Sequence, residues 1–306
     1  MASTQSSAPW SGIFSAVTTK MNADASVDFK ALERHFTWQI ECGVHGLVVL
    51  GSLGENGALT PEEKAGVLTT AVDASAGKVP VLAGVAETST RFACQFAESA
   101  ARIGASGLMV LPGMQYVSDR RETMSHFRSV ANSTDLPVML YNNPVAYRVD
   151  VTPEMFAELA DEPKFVALKE SSDDVRRITE IRRLTGDRYA IFTGVDDLAL
   201  GSFVLGAVGW VAGLVCAFPK ETVALYELMK RGKTQEALAL YGWFIPLLHL
   251  DVSVKFVQNI KLAEAIAGCG TEHVRPPRLP LAGAERAAVE KTVRAALSNR
   301  PVLPKF

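Results

Sequence analysis

Short apolar runs alternate along this chain with longer stretches in which apolar residues recur every three or four positions. The runs are Ile13–Thr19, Leu47–Leu50, Val79–Ala83, Leu108–Leu111, Val138–Tyr141, Phe165–Lys169, Ala190–Thr193 and Gly209–Val211. Most are apolar on both faces, the pattern of parallel strands buried between helices and a barrel interior. Between them, Leu32, Phe36 and Ile40, then Phe92, Phe96, Ala100 and Ile103, then Val175, Ile178, Ile181 and Leu184 form helical stripes. Thr60, Pro61 and Glu63 spell a helix start with a capping box, and Thr152-Pro153 repeats its first two features. Gly104 and Gly232 fall where helix C-caps belong.

Eight β/α units in about 220 residues predict a closed (β/α)8 TIM barrel rather than a doubly wound sheet. The barrel is expected over residues 13–232, after a tail at 1–12 and before a helical extension, 233–306, packed on it. A doubly wound sheet usually carries a phosphate fingerprint, and neither GxGxxG nor GxxxxGK[ST] occurs after a strand.

Composition narrows the class. The 306 residues are 48% hydrophobic and 21% charged with a net charge of −2, so a large core is available and no nucleic-acid partner is expected. Cys42, Cys94, Cys216 and Cys269 lie far apart, which suits a reducing compartment better than a disulfide framework or zinc site. The first residues lack the apolar core of a signal peptide, and no apolar run approaches the roughly 20 residues that span a bilayer. A cytoplasmic protein without membrane contact is the expectation.

In a (β/α)8 barrel the reacting groups sit at the C-terminal strand ends. Lys169 directly follows Phe165–Leu168, so its ammonium should rise from an apolar wall, where desolvation favours the neutral, nucleophilic amine. The other reading of that position is a lysine that snorkels to solvent beside Glu170. Tyr141 closes the fifth run, either as a phenol that shuttles a proton or as a core tyrosine with a satisfied hydroxyl. The Gly51–Gly54 turn offers free backbone N–H groups suited to a carboxylate. Asp196 and Asp197 read as caps or solvated loop residues, with binding of substrate hydroxyls or a metal as the alternative. His249 reads as a packed helix residue, and Arg176, Arg177, Arg182 and Arg183 as a solvated face with Glu180. The five histidines form no HExxH and no i, i+4 pair, so no metal is expected.

Taken together, GSLGEN (Gly51–Asn56), YNNP (Tyr141–Pro144), LKESSDD (Leu168–Asp174) and GVDD (Gly194–Asp197) resemble the dihydrodipicolinate synthase/N-acetylneuraminate lyase superfamily, in its order and spacing, from about Gly12 to the C-terminal helices. The resemblance implies that Lys169 forms a Schiff base with a small 2-oxo or imino acid and that Tyr141 relays protons at its carbonyl carbon. It implies that Ser52 hydrogen-bonds this tyrosine, that the Ser52–Leu53 amides hold the substrate carboxylate, and that the main chain of Val211 lines the site. Substrate contacts are expected from Leu53, Gly54, Val211, Gly194, Asn143 and Tyr116. It further implies a homotetramer, and no cofactor, since the imine itself is the electron sink.

Departures from the synthase pattern point to a branch. Ala146 stands where the synthase has an arginine for its second substrate, with Arg148 two residues on. Gly113-Met114 replaces paired tyrosines, which Tyr116 could partly replace, and Leu53 replaces a common threonine. YNNP followed by Tyr147 and Asp150–Pro153, Pro246–Asp251 and Arg275–Leu279 resemble the branch that dehydrates and deaminates 4-hydroxy-1-pyrroline-2-carboxylate in hydroxyproline breakdown. The alternatives are dihydrodipicolinate synthase, a 2-keto-3-deoxy sugar acid aldolase or dehydratase, a barrel that only binds, and a nucleotide-dependent oxidoreductase on a doubly wound sheet.

Overall fold

Each of the eight apolar runs forms a parallel strand, and the strands close on themselves. In a computed structural model, which describes residues 10–113 and 115–306, they are β1 (Gly12–Ala16), β2 (Gly46–Val49), β3 (Val81–Val85), β4 (Gly107–Val110), β5 (Val138–Asn142), β6 (Phe165–Glu170), β7 (Ala190–Thr193) and β8 (Gly209–Ala212). They pair in sequence order, and β8 returns to β1 with Gly12 opposite Gly209 and Phe14 opposite Val211. This is a (β/α)8 TIM barrel with additional C-terminal helices. Residues 1–9 of the expected tail, and Met114, lie outside the described residues.

Most strand ends shift by one to three residues from the reading of the sequence, and two of the larger shifts have local reasons. The first strand stops at Ala16, because Thr18 and Thr19 turn their hydroxyls onto the Glu264 carboxylate (2.7 Å) and the Gly54 carbonyl (2.6 Å). The third begins at Val81, because the Val79 carbonyl already accepts from Ser75 Oγ (2.5 Å).

The helices around and beyond the barrel are α1 (Phe29–Glu41), α2 (Pro61–Ser75), α3 (Thr90–Ile103), α4 (Arg120–Asn132), α5 (Pro144–Tyr147), α6 (Pro153–Leu159), α7 (Arg176–Thr185), α8 (Ala199–Val204), α9 (Pro219–Lys230), α10 (Thr234–Leu248), α11 (Phe256–Ala267) and α12 (Gly283–Ser298). At the start of α2, Thr60 Oγ1 accepts from Glu63 N while Thr60 N donates to the Glu63 carboxylate, so two orphan donors are satisfied reciprocally. Gly104 ends α3 in the left-handed region (φ 102°). The stripe of α3 differs from expectation. Its buried face is Ala93, Ala97 and Ala100, whereas Phe92 is 54% exposed. Small side chains let this helix lie close against the barrel, and the phenylalanines flank the contact.

The lower barrel interior is filled by Phe14 and Phe192, whose rings meet edge to face with centroids 5.1 Å apart. Room for them comes from Gly46 and Gly209, where any β-carbon would overlap these rings. A β-carbon at Gly209 would also lie 2.7 Å from the Gly12 carbonyl, which cannot move without breaking the β1–β8 pairing. Gly209→Ala should therefore cost about 1–3 kcal/mol, as overpacking typically does. A lower urea midpoint with an unchanged slope is the expected observation.

After α9 the chain packs α10 on α8 and α9, and α12 on α10 and α11. Helix α11 returns to the barrel mouth, where its Lys261 forms a buried ion pair with Glu55 of the β2–α2 turn and its Glu264 pairs with Lys20 at 2.7 Å. No helix among the described residues is long and apolar enough to cross a membrane.

Candidate active site

Parallel pairing of β5 and β6 sets Tyr141 directly opposite Lys169. Register partners on adjacent strands share a face, so both side chains enter the barrel mouth together. Both are buried, and Lys169 Nζ lies 4.2 Å from the centre of the Tyr141 ring. Gly194, just past β7, makes the lysine's path possible, since a β-carbon there would sit 2.8 Å from Lys169 Cγ and overlap Ser171 Oγ. Glu170 turns the other way, accepting from Asn142 Nδ2 (3.1 Å) and Ser172 N (2.7 Å). It is no counter-ion for Lys169, which rules out the snorkelling pair.

Burial pushes the Lys169 ammonium below the ordinary lysine range, outweighing the opposing influence of Asp251, Tyr147 and Asp196. Burial likewise raises both Tyr141 and Tyr147, so both stay protonated phenols at neutral pH. The site is thus an amine poised to lose its proton among hydroxyl groups able to pass one.

Facing them, β2 ends in a turn with two residues at positive φ, Leu50 (63°) and Glu55 (56°). Asn56 holds this strained backbone by donating from Nδ2 to the Leu50 carbonyl (2.9 Å). Close to Leu50, Gly84 leaves space that a β-carbon would fill at 2.5 Å from the Leu50 carbonyl. Among the described residues, the amides of Ser52, Leu53 and Gly54 donate to no protein acceptor. Three free N–H groups on a rigid turn can hold an anion such as a carboxylate. Val211 lies on β8, its side chain fully packed.

Several expected residues take other roles. Ser52 Oγ hydrogen-bonds the Tyr147 hydroxyl, not that of Tyr141. The short helix α5 brings Tyr147 over the mouth, its ring edge-on to Tyr141 with centroids 5.8 Å apart and its hydroxyl close enough to interact with that of Tyr141. Ser52, Tyr147 and Tyr141 therefore form one series of hydroxyls within a single chain. Asn143 is not free to bind substrate. Its Oδ1 caps α5 through Ala146 N (2.9 Å) and its Nδ2 donates to Tyr141 Oη (3.1 Å). Tyr116 is 60% exposed and interacts with Glu122, outside the site. Ala146 and Arg148 are both exposed, Arg148 closing α5 at φ 62°.

The acidic residues divide sharply. Asp196 is no solvated loop residue: it is fully buried and accepts from Trp210 Nε1 (2.9 Å), Gly213 N (3.1 Å) and Leu214 N (2.8 Å), clamping the end of β8. Burial outweighs these donors and pushes it up to about 6. His249 is exposed at the end of α10 and lies 3.6 Å from Asp197 instead of packing in a helix. Asp251, two residues on, was missed as a site residue because the turn after α10 that carries it is remote in sequence from β6 and its lysine. The only signal was its place in the Pro246–Asp251 stretch. Of the other branch marks, Asp150 pairs with Arg177 (2.5 Å) and Arg275 with Glu63, both outside the mouth.

One set of possible metal ligands exists among the described residues, His35, Cys216 and Glu264, whose ligand atoms lie within 4.8 Å of one another. Sequence spacing could not reveal it. The Lys20 ammonium, 2.7 Å from Glu264, already balances that carboxylate.

The family model for the dihydrodipicolinate synthetase family matches residues 9–296. The chain is 30% identical to the 4-hydroxy-tetrahydrodipicolinate synthase of a Jannaschia species over 93% of this chain and 98% of that one. It is 31% identical to the enzyme of that name from Methanospirillum hungatei, over 92% and 96%. Among solved structures it resembles the synthase of Methylacidiphilum fumariolicum (TM-score 0.90, 27% identity, 95% and 96% covered). It also resembles a prophage protein of this family from E. coli K12, solved in complex with pyruvate (TM-score 0.89, 27% identity, 94% and 99% covered). The chain belongs to the dihydrodipicolinate synthetase family of Schiff-base lyases and aldolases.

Proposed function

We propose that Lys169 forms an imine with C2 of a small 2-oxo or cyclic imino acid, and that the chain's own reaction is dehydration and deamination of 4-hydroxy-1-pyrroline-2-carboxylate. The observation that carries this reading is the buried Lys169 amine beside the Tyr141 phenol, opposite three unpaired amides. The pyruvate complex of the E. coli relative supports a 2-oxo acid as the kind of ligand.

The substrate carboxylate would sit on the Ser52, Leu53 and Gly54 amides, which places C2 at Lys169. The neutral amine attacks C2. The C=O oxygen, or the ring nitrogen of a cyclic imine, takes a proton from Tyr141, which Tyr147 and Ser52 resupply. Water leaves a 2-oxo acid at this step. For the ring substrate the C2–N bond then breaks, the C4 hydroxyl is lost as water, proton shifts carry the new double bond to C5 to make the freed amine a second imine, and hydrolysis of both imines follows. The net change is uptake of one water and release of one ammonia.

Ala146 supports the reading that condensation with aspartate semialdehyde is not the chain's own reaction. A charge-assisted contact to a second carboxylate in a partly buried site contributes roughly 1.5–3 kcal/mol, or about one to two decades. Ala146 cannot make it, and the Arg148 side chain is exposed. Ammonia release from 4-hydroxy-1-pyrroline-2-carboxylate should exceed condensation of pyruvate with aspartate semialdehyde by about that factor in kcat/KM. Efficient condensation with negligible deamination would overturn the substrate assignment while leaving the imine chemistry standing.

A further inference from the structure

Elimination of a hydroxyl needs an acid, because hydroxide is a poor leaving group. On the reading above, the hydroxyl series of Ser52, Tyr147 and Tyr141 serves the C2 oxygen or nitrogen, and the Ser52–Gly54 amides hold the carboxylate. The leaving group lies at the other end of the substrate. Asp196, Asp197 and Asp251 gather at the β7–β8 side of the mouth, where Asp196 and Asp197 both act on Asp251. Asp196 is saturated by Trp210, Gly213 and Leu214, and Asp197 faces His249. Among the described residues the Asp251 carboxyl has neither a hydrogen bond nor an ion pair, unlike Asp197, which lies 3.6 Å from His249, and it packs onto the bare Cα of Gly213 at the end of β8.

The turn that carries Asp251 is fixed in place. Leu250 N and Asp251 N bond back to Leu247 and Leu248 carbonyls, and Asn259 Nδ2 holds the Leu250 carbonyl (3.0 Å). The end of α10 is tied to the β7 loop through His249 and through the Tyr241 hydroxyl on the Asp197 carbonyl.

We propose that Asp251 is the catalytic acid for elimination of the substrate's β-hydroxyl, its unpartnered carboxyl lying over Gly213 at the mouth end of β8. This rests on imine formation at Lys169. In the enamine on Lys169, the electron pair of the C2=C3 bond forms a new C3=C4 bond while the imine at C2 is restored. The C4–O bond breaks, its electrons stay with oxygen, and oxygen takes the Asp251 proton to leave as water. Burial, with Asp196 beside it, holds Asp251 well above the usual carboxylate range, which favours the protonated carboxyl that this step uses.

The test compares the full-length wild type with Asp251→Asn in three assays: borohydride trapping of pyruvate, exchange of the pyruvate methyl protons in D2O by NMR, and ammonia release from 4-hydroxy-1-pyrroline-2-carboxylate. The variant should still trap and exchange pyruvate, and should lose about 10²–10⁴-fold of the elimination-dependent rate. Undiminished elimination in the variant, or a parallel loss of exchange and elimination, would overturn the role of Asp251 alone. A wild type that traps no pyruvate would sink the imine reading, and this role with it.

Discussion

Lys169→Met is expected to lose turnover by ~10⁴-fold or more, the scale on which removing a covalent nucleophile acts. Borohydride added with pyruvate should leave a reduced adduct on Lys169 in the wild type and no adduct in the variant. Met suits the test because it keeps an unbranched apolar stem along the path that Gly194 leaves open. Circular dichroism and the urea midpoint should report an intact fold, since the change removes a buried ammonium that forms no ion pair. The dependence on pH has a definite sign. Attack requires the neutral amine, and burial lowers the ammonium below the ordinary lysine value of 10.5, so the trapping rate should rise with pH through a midpoint below 10.5. A midpoint at or above that value, or an adduct on another lysine, would contradict the buried-amine assignment.

The barrel was legible in the sequence because a parallel strand covered on both faces leaves a short apolar run, and eight such runs separated by helical stripes allow few architectures. Lys169 was legible for the same reason: one cation at the end of an apolar run has few reasons to be there. What a linear reading could not supply was which hydroxyl meets which. Ser52 and Tyr147 are 95 residues apart and touch only because Asn143 caps a one-turn helix that swings Tyr147 over the mouth. The same turn leaves Ala146 and Arg148 outward, which spacing alone left open. Tyr116, which the sequence offered as a replacement for absent tyrosines, lies on the surface instead. Asp196 and Asp251 were misjudged or missed because burial is a tertiary property: the two residues look alike in the sequence, yet one is locked to backbone amides and the other has no hydrogen-bond partner among the described residues. His35, Cys216 and Glu264 converge from three distant segments, beyond the reach of any spacing rule.

Tyr147→Phe is the substitution that asks whether one chain carries its whole proton relay. The ring remains edge-on to Tyr141, so packing is kept, while Ser52 loses its partner and Tyr141 loses the hydroxyl beside its own. A positioned acid or base contributes about 10²–10⁴-fold, and kcat should fall by that order while the Lys169 adduct with pyruvate still forms on long incubation. Ser52→Ala breaks the same series at its outer end and should cost less, because a solvent molecule can fill the space of a partly buried hydroxyl. Tyr116→Phe is the control: its hydroxyl faces Glu122 at the surface, and its loss should leave kcat unchanged. The opposite pattern, a large loss with Tyr116→Phe and none with Tyr147→Phe, would place the relay outside this chain's own α5. A fall in Tyr147→Phe confined to KM would make that residue part of the binding surface and leave proton transfer to Tyr141 alone.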